Sequence, residues 1–241
     1  MLRIRVDIVG ALGRWLWPAR CALCSQPGQP GLDLCQGCEA DFPLNDNACE
    51  HCAEPLPREL TPPVLCGACL RRPPAFDACF APFRYAFPVD RLIQGLKYRR
   101  ELCYGRVLGQ LLARHLSHRG TRPDIVIPVP LGLRRYRERG FNQARELALP
   151  TCNSMRLSLR SDLVVRHRET REQAGLDRTE RRKNTRKAFA LVAPLHARHV
   201  AIVDDVVTTG STVNELSKLL RTAGAEWIEV WAIARASRSE P

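Results

Sequence analysis

The second part of the chain alternates short apolar runs with segments whose apolar residues recur at helical spacing. The runs predict strands at residues 80–87, 124–130, 163–165, 199–203 and 227–234. The helical spacing predicts helices at residues 90–97, 104–116, 142–149 and 212–222. Strands that alternate with helices are typical of a parallel sheet, and such sheets bind ligands at the carboxyl ends of their strands. The pattern therefore predicts an α/β domain over residues 80–241.

The first residues show a different pattern. Ile4, Ile8, Leu12 and Leu16 recur every four residues, which predicts a short amphipathic helix within residues 1–17. We expect this segment to dock on the protein itself rather than on a membrane. The sequence has no apolar run of 18 or more residues, so we expect no stable membrane insertion.

Cysteine spacing dominates residues 18–75. Eight of the 11 cysteines form four CxxC pairs, Cys21/Cys24, Cys35/Cys38, Cys49/Cys52 and Cys66/Cys69. Each pair places two thiolates on one side of a metal, and two pairs complete a tetrahedral zinc site. Disulfides give no reason for such a repeated spacing, so the sequence predicts a module with two four-cysteine zinc sites. Cysteines that bind zinc as thiolates, instead of forming disulfides, indicate a reducing, cytoplasmic location.

Two pairings of these cysteines are open, sequential and interleaved, and we expect the sequential one because it needs only short loops. A full four-cysteine set leaves zinc no open position, so both sites are predicted to be structural, and His51 is not expected to be a ligand. Little apolar sequence lies in this module, so metal binding would supply its folding free energy. The three remaining cysteines are expected to be buried: Cys79, Cys103 and Cys152.

The net charge of +12 is carried by the α/β domain alone. Residues 1–80 hold 7 basic and 9 acidic side chains, whereas residues 81–241 hold 30 and 16. Within residues 134–187 there are 16 Lys and Arg against 7 Asp and Glu. This surplus predicts a phosphate-rich partner, either a nucleotide-like metabolite or a nucleic-acid backbone.

One segment has the composition of a phosphate site at a strand end. The apolar run at residues 200–203 is followed by Asp204 and Asp205, and then by the loop Thr208–Thr212, which opens a predicted helix. Hydroxyls and backbone N–H groups at a helix start favour phosphate, and Gly210 allows a close approach of the backbone. The two carboxylates suit ribose hydroxyls or the water shell of Mg²⁺, and both are expected to face solvent.

Residues 200–212 resemble the phosphoribosyl pyrophosphate (PRPP) motif of type I phosphoribosyltransferases. The resemblance implies that Asp204 and Asp205 act in catalysis and bind the ribose hydroxyls, with Mg²⁺ accompanying PRPP. It implies that Thr208–Thr212 hold the 5′-phosphate. The complete set of implied PRPP ligands is Asp204, Asp205, Val206, Thr208, Thr209, Gly210, Ser211 and Thr212.

Four further segments are similar to the ComF/GntX family: residues 127–130, 137–143, 168–173 and 181–184. That family joins a zinc ribbon to a domain resembling a type I phosphoribosyltransferase and is implicated in uptake of single-stranded DNA. By this resemblance, Pro128, Val129 and Pro130 would form the pyrophosphate loop, and Arg168–Lys187 a basic hood over it.

Three functions follow as alternatives. The first is a PRPP-binding member of this family that assists DNA uptake or nucleotide handling. The second is a nucleobase phosphoribosyltransferase. The third is a non-enzymatic module that binds single-stranded DNA or a DNA-uptake helicase through its basic surface. The expected partners are accordingly PRPP or a related phosphorylated sugar, single-stranded DNA, and such a helicase.

Overall fold

The computed structural model describes residues 19–57, 64–167 and 188–237. The chain divides into two compact units, Met1–Phe42 and Pro43–Pro241. The predicted N-terminal helix at residues 1–17 and the basic hood at residues 168–187 lie outside the described residues.

The described part of the first unit is a small knuckle built around short loops. Its helix α1 (Gln36–Ala40) begins after Cys35, whose side chain accepts a hydrogen bond from the backbone N–H of Cys38. Isolated bridges join Arg20 to Pro27 and Gln29 to Leu32. The buried apolar side chains of residues 19–42 include Leu32, Leu34 and Phe42, so the described part of this unit has a small hydrophobic core.

The second unit is organised around a parallel sheet. Its helices are α2 (Gly67–Arg71), α3 (Val89–Arg99), α4 (Leu102–Ser117), α5 (Leu133–Arg139), α6 (Gln143–Met155) and α7 (Ser211–Thr222). Its strands are β1 (Ala78–Phe80), β2 (Phe83–Arg84), β3 (Ile125–Pro128), β4 (Val164–Arg166), β5 (Phe189–Leu191), β6 (His199–Val207) and β7 (Trp227–Arg235). The main sheet has the order β1-β7-β6-β3, with β2 also beside β7, and every pairing in it is parallel. A separate antiparallel pair joins β4 to β5.

Helices cover the sheet because its central strands are apolar on both faces. Val200 and Ile202 of β6 belong to one buried cluster with Leu216 and Leu220 of α7. Successive side chains of a strand point to opposite faces, so the equally buried residues between them lie on the other side of the sheet. Helix α6 contacts β3 and β6, and α4 contacts β7.

A close approach of α4 to α6 depends on Gly109. A Cβ atom at this position would lie 2.5 Å from the carbonyl oxygen of Leu147 and would overlap the ring of Pro150. The hydroxyl of Thr151 donates to the carbonyl of Gly109, 2.9 Å away, and to that of Leu147, 2.8 Å away. Glycine is therefore required where these two helices touch.

The predicted parallel α/β domain is confirmed, with differences at element boundaries. The strand predicted at residues 80–87 is two short strands, β1 and β2, because Ala81 and Pro82 interrupt the ladder. The strand predicted at 199–203 continues to Val207, so both acids lie inside β6. Helix α5 was not predicted, and α6 runs past Pro150 to Met155.

The remaining cysteines differ in burial. Cys79 and Cys152 are buried, as predicted, and burial raises the pKa of each thiol to about 12. The prediction for Cys103 was wrong, because it lies on the exposed side of the first turn of α4. In the part of the chain that the structure describes, no helix is long and apolar enough to cross a membrane.

Candidate ligand cleft and zinc sites

The CxxC pairs come together sequentially, as expected, in two four-cysteine clusters. One consists of Cys21, Cys24, Cys35 and Cys38, and the other of Cys49, Cys52, Cys66 and Cys69, with all sulfurs of a cluster within 4.8 Å of one another. A tetrahedral zinc at about 2.3 Å from each sulfur would set neighbouring sulfurs about 3.8 Å apart. The Sγ atoms of Cys24 and Cys35, and those of Cys52 and Cys66, are each 3.6 Å apart.

Both clusters therefore fit zinc, and the donor set of four thiolates leaves no position for substrate. Backbone groups support the second cluster, where the N–H of Cys66 donates to Cys49 Sγ at 3.2 Å. His51 is outside both clusters of four cysteines, and its Nε2 lies 2.6 Å from the carbonyl oxygen of Phe76. The two zinc sites are structural.

The second zinc site is continuous with the core of the sheet. Its four cysteines are buried and share one cluster with Val200, Val207 and residues of α7. The linker after this site is also fixed, since Asn214 of α7 accepts a hydrogen bond from the N–H of Ala75 at 2.7 Å. Asp77 accepts one from the Arg221 guanidinium at 2.6 Å. Residues 75–77 thus pack directly against α7, the helix that follows the acidic pair.

The carboxyl ends of β3 and β6 bring the expected pyrophosphate loop beside the acidic pair. Pro128 is in register with Val203, and the N–H of Val129 donates to the Val203 carbonyl at 2.8 Å. Asn142, the N-cap of α6, holds the loop from the other side, because its amide donates to the Val129 carbonyl at 3.0 Å.

A cleft of about 450 Å³ opens at this edge of the sheet. The predicted site residues among its walls are Val129, Pro130, Asp204, Asp205 and Thr212. Four basic side chains also line it: Lys97, Arg135, Arg139 and Arg166. Pro128, Val206 and residues 208–211 are outside the lining, although Thr208–Ser211 connect directly to it in the chain.

The two acids differ in environment. Asp205 is only 4% exposed and forms an ion pair with the ammonium of Lys97, so the expectation that both acids face solvent was wrong for this residue. Asp204 is partly exposed in the cleft. Burial raises its pKa to about 8, helped by the neighbouring charge of Asp205 and opposed by that of Lys97. The charge of Asp205 is therefore compensated by Lys97, whereas the raised pKa of Asp204 means that this carboxyl holds its proton to a higher pH than an ordinary aspartate.

The loop after β6 has the backbone of a phosphate cradle. Gly210 is the N-cap of α7 with φ of +74°, a left-handed conformation that favours glycine. The Thr209 hydroxyl donates to Ser211 Oγ at 3.0 Å and accepts from the N–H of Ser211 at 3.3 Å. The first turn of α7 beyond them presents N–H groups that a helix leaves without intrahelical partners.

The basic wall opposite the acids comes from two elements. Arg135 and Arg139 lie on α5 and are partly buried, and Arg139 also stacks over Tyr98, with its guanidinium carbon 5.5 Å from the ring centroid. Arg166 ends β4, directly before residues 168–187. Its guanidinium lies 5.5 Å from the ring centroid of Phe189 on β5.

Sequence reasoning missed the role of Lys97 and the contribution of Arg166. Lys97 was visible only as one of several basic residues near the end of α3, and nothing in its sequence context indicated the ion pair with Asp205, which is far away along the chain. Arg166 stood among the 16 basic residues of the segment 134–187 without a mark of its own.

Comparison with known proteins finds relatives that align with most of this chain. The chain is 37% identical to the DNA utilization protein YhgH of Escherichia coli O157:H7 over 224 residues, covering 90% of this chain and 97% of that protein. The chain belongs to the ComF/YhgH family. It is also 37% identical to competence protein F of Haemophilus influenzae, covering 84% and 90%, and 25% identical to competence protein ComFC of Streptococcus pneumoniae, covering 84% and 87%.

The N-terminal part matches a family model described as a double zinc ribbon domain over residues 12–70. This match agrees with the two four-cysteine clusters. Among solved structures, a purine phosphoribosyltransferase from Pyrococcus horikoshii overlaps 56% of this chain and 88% of its own, with 19% identity and a TM-score of 0.31. An overlap this weak adds nothing to the family assignment.

Proposed function

We propose that the cleft binds PRPP or a related phosphorylated sugar. The observation that carries the proposal is the meeting of three groups around one cavity: the acidic pair of β6, the start of α7, and four basic side chains. A sugar that carries a phosphate at one end and a diphosphate at the other needs acceptors for its hydroxyls and donors for its two anionic ends, and these three groups supply both.

Each group has a distinct part in the proposal. Asp204 accepts hydrogen bonds from the ribose hydroxyls, and Asp205 orients it through the backbone N–H that donates to Asp204 Oδ1 at 2.9 Å. Residues 208–212 hold the 5′-phosphate with hydroxyls and N–H groups. The guanidinium forks of Arg135, Arg139 and Arg166 face the diphosphate beside Val129 and Pro130.

Mg²⁺ is the cation that we propose to enter with the diphosphate. Asp204 and Asp205 are the carboxylates of the cleft that would hold its water shell, and the ion would neutralise charge on the leaving diphosphate. The chain itself supplies orientation and fixed positive charge, the two contributions on which a transfer at the sugar carbon depends.

A panel of partial ligands tests this proposal. Calorimetric titration with PRPP, ribose 5-phosphate and pyrophosphate, each with Mg²⁺, should show binding of all three, tightest for PRPP because it engages both anion sites. Binding of pyrophosphate alone would remove the loop at 208–212 from the site and contradict the assignment. A separate screen of nitrogen acceptors with PRPP tests whether the bound sugar is transferred, as a nucleobase phosphoribosyltransferase requires.

For the whole protein we propose a cytoplasmic location and a role in DNA uptake or nucleotide handling; the part that concerns DNA is supported by relatives named a DNA utilization protein and competence proteins. Helix α5 supports contact with single-stranded DNA or with a DNA-uptake helicase. It carries Arg134 and Arg137, both exposed, with Tyr136 between them in the chain at 51% exposure. Tyr98, which is 70% exposed, contacts Arg139 of the same helix. Basic side chains interleaved with exposed aromatic rings suit a single strand, whose bases stack while its phosphates pair.

The two sides of α5 allow DNA binding to be tested without touching the cleft. Arg134 and Arg137 do not line the cleft, whereas Arg135 and Arg139 do. Replacing Arg134 and Arg137 with Gln should lower affinity for an oligonucleotide and flatten the slope of log affinity against log salt by about 1.4, since each lost phosphate contact removes about 0.7. PRPP binding should be unchanged. Absence of DNA binding by the wild type at low salt would reject this second function.

A further inference from the structure

Arg235, the last residue of β7, has a guanidinium that is completely buried. On one side it donates to the loop that follows β6: Nη1 donates to the carbonyl of Val207 at 2.8 Å and also to the carbonyl of Thr208. The adjacent carbonyl of Ala236 accepts from the same nitrogen at 2.5 Å. One cation thus satisfies three backbone oxygens at the point where the strand turns into the loop.

On its other side the same guanidinium reaches the second zinc site. Its Nε donates to the carbonyl of Cys52, a zinc ligand, at 3.0 Å. Its Nη2 forms an ion pair with the carboxylate of Glu54, two residues further on, which is also buried. The N–H of Cys49 in turn donates to the Glu54 carbonyl at 2.8 Å, so Glu54 is part of the knuckle that surrounds the metal.

This contact fixes how the loop presents its N–H groups. A trans peptide directs the N–H of a residue away from the preceding carbonyl. With the carbonyls of Val207 and Thr208 held on Arg235, the N–H groups of Thr208 and Thr209 must point away from it. The orientation of the first donors of the loop therefore depends on a residue that the cleft does not contain.

We propose that Arg235 is a positioning residue that couples occupancy of the second zinc site to the conformation of the loop at residues 207–212. Zinc at Cys49, Cys52, Cys66 and Cys69 fixes the Cys52 carbonyl and Glu54. These two groups hold the guanidinium, and the guanidinium holds the loop. The part that concerns ligand affinity rests on the proposed function, whereas the coupling between zinc and loop does not.

Loss of this zinc frees the knuckle and withdraws two acceptors from a buried cation. A buried cation that loses partners moves toward water or toward other acceptors. The Thr208 carbonyl then loses its bond to Arg235, and the Val207 carbonyl keeps the N–H of Ala236 at 3.0 Å. The ligands of the first zinc site belong to the other compact unit, Met1–Phe42, and none of them is among the partners given for Arg235 in the described part of the chain. The two zinc sites should therefore differ in their effect on the loop.

Amide hydrogen exchange in the full-length protein without ligand tests the coupling. Cys49→Ser should raise the exchange rate of residues 207–212 at least tenfold, whereas Cys21→Ser should leave it unchanged, with α4 as the internal reference. Glu54→Gln, which keeps an acceptor but removes the charge, should raise it by a smaller factor with both zinc ions retained. Equal effects of Cys49→Ser and Cys21→Ser, or no effect of Glu54→Gln on the loop, would overturn the proposal.

Zinc retention in the wild-type protein gives a second readout that does not depend on the folding of a cysteine variant. Coupling between two sites is reciprocal in binding free energy, so PRPP with Mg²⁺ should protect zinc at the second site by raising its affinity at least threefold, measured by equilibrium competition with a chelator, and leave the first site unaffected. Glu54→Gln should abolish this protection. If the wild type binds PRPP but shows no protection, the coupling is refuted. If it binds no PRPP, the proposed ligand is refuted and the exchange experiment alone decides the coupling.

Discussion

The ion pair between Lys97 and Asp205 offers the most informative perturbation of the cleft. The Lys97 side chain is 20% exposed and that of Asp205 is 5% exposed, so this pair is largely withdrawn from water. Removing one partner of a buried pair leaves the other charge uncompensated, which costs about 3–5 kcal/mol. Because Lys97 retains some contact with solvent, we expect Lys97→Met to lower the free energy of unfolding by about 3 kcal/mol, the lower end of that range.

The double variant separates this charge effect from packing. Lys97→Met with Asp205→Asn removes both charges, and replacing a whole buried pair costs far less than breaking it. We expect the double variant to lose about 1 kcal/mol, so the coupling energy of the cycle should exceed about 2 kcal/mol. Urea denaturation of the zinc-loaded wild type, Lys97→Met, Asp205→Asn and the double variant gives the four free energies of unfolding that the cycle requires.

The pH dependence provides an independent check of the same reasoning. Lys97 lowers the pKa of Asp204, so its removal should raise that pKa further above about 8. A carboxyl with a raised pKa in the folded state loses stability as pH rises through that value. The deficit of Lys97→Met should therefore be larger at pH 9 than at pH 6. Two results together would refute the assignment of a buried, coupled charge cluster. The stability losses of Lys97→Met and Asp205→Asn would add in the double variant, and the loss of Lys97→Met would be the same at pH 6 and pH 9.

Three further predictions concern other parts of the site. Cys35→Ser should release one of about two zinc ions per chain and loosen the unit Met1–Phe42 without changing PRPP affinity; zinc near zero in folded wild type, by elemental analysis, would contradict it. Gly210→Ala should cost about 1–2 kcal/mol, since φ is +74°, and weaken PRPP at least tenfold in calorimetry. Gly120→Ala, with φ of +66° and open space around it, should show only the stability loss. Asp204→Asn should flatten the fall in stability between pH 4 and pH 8, measured by urea midpoints, because burial raises this pKa from 3.8 to about 8; an unchanged profile would reject a raised pKa at Asp204.

The sequence was most informative where a local pattern determines the structure. The CxxC spacing determined both zinc clusters, since each turn positions two sulfurs regardless of the rest of the chain. The apolar run before Asp204 likewise identified the central strand. Both patterns depend on residues that are close together in the chain, and the structure agrees with them.

Contacts between distant segments were beyond the reach of these patterns. Lys97 and Asp205 are separated by more than 100 residues, and the burial of Asp205 depends on how α3 packs beside β6. Arg235 ends an ordinary apolar strand, and its contacts with Glu54 and with the loop exist only in the folded unit. Amphipathic spacing predicts which face of an element is covered, but it does not identify the charged partner on the covering element.

The central claim is that the cleft binds PRPP through the acidic pair and through the loop at residues 208–212, where α7 begins. The most direct measurement is calorimetric titration of PRPP with Mg²⁺ into wild type, Asp204→Asn and Asp162→Asn. Asp162 is an exposed acid paired with Arg160 and does not line the cleft, which makes it the matched control. Charged hydrogen bonds are worth about 1.5–3 kcal/mol, so Asp204→Asn should weaken binding at least about tenfold while Asp162→Asn leaves it unchanged. A wild type that gives no heat with millimolar PRPP, or equal affinities for all three proteins, would contradict the claim.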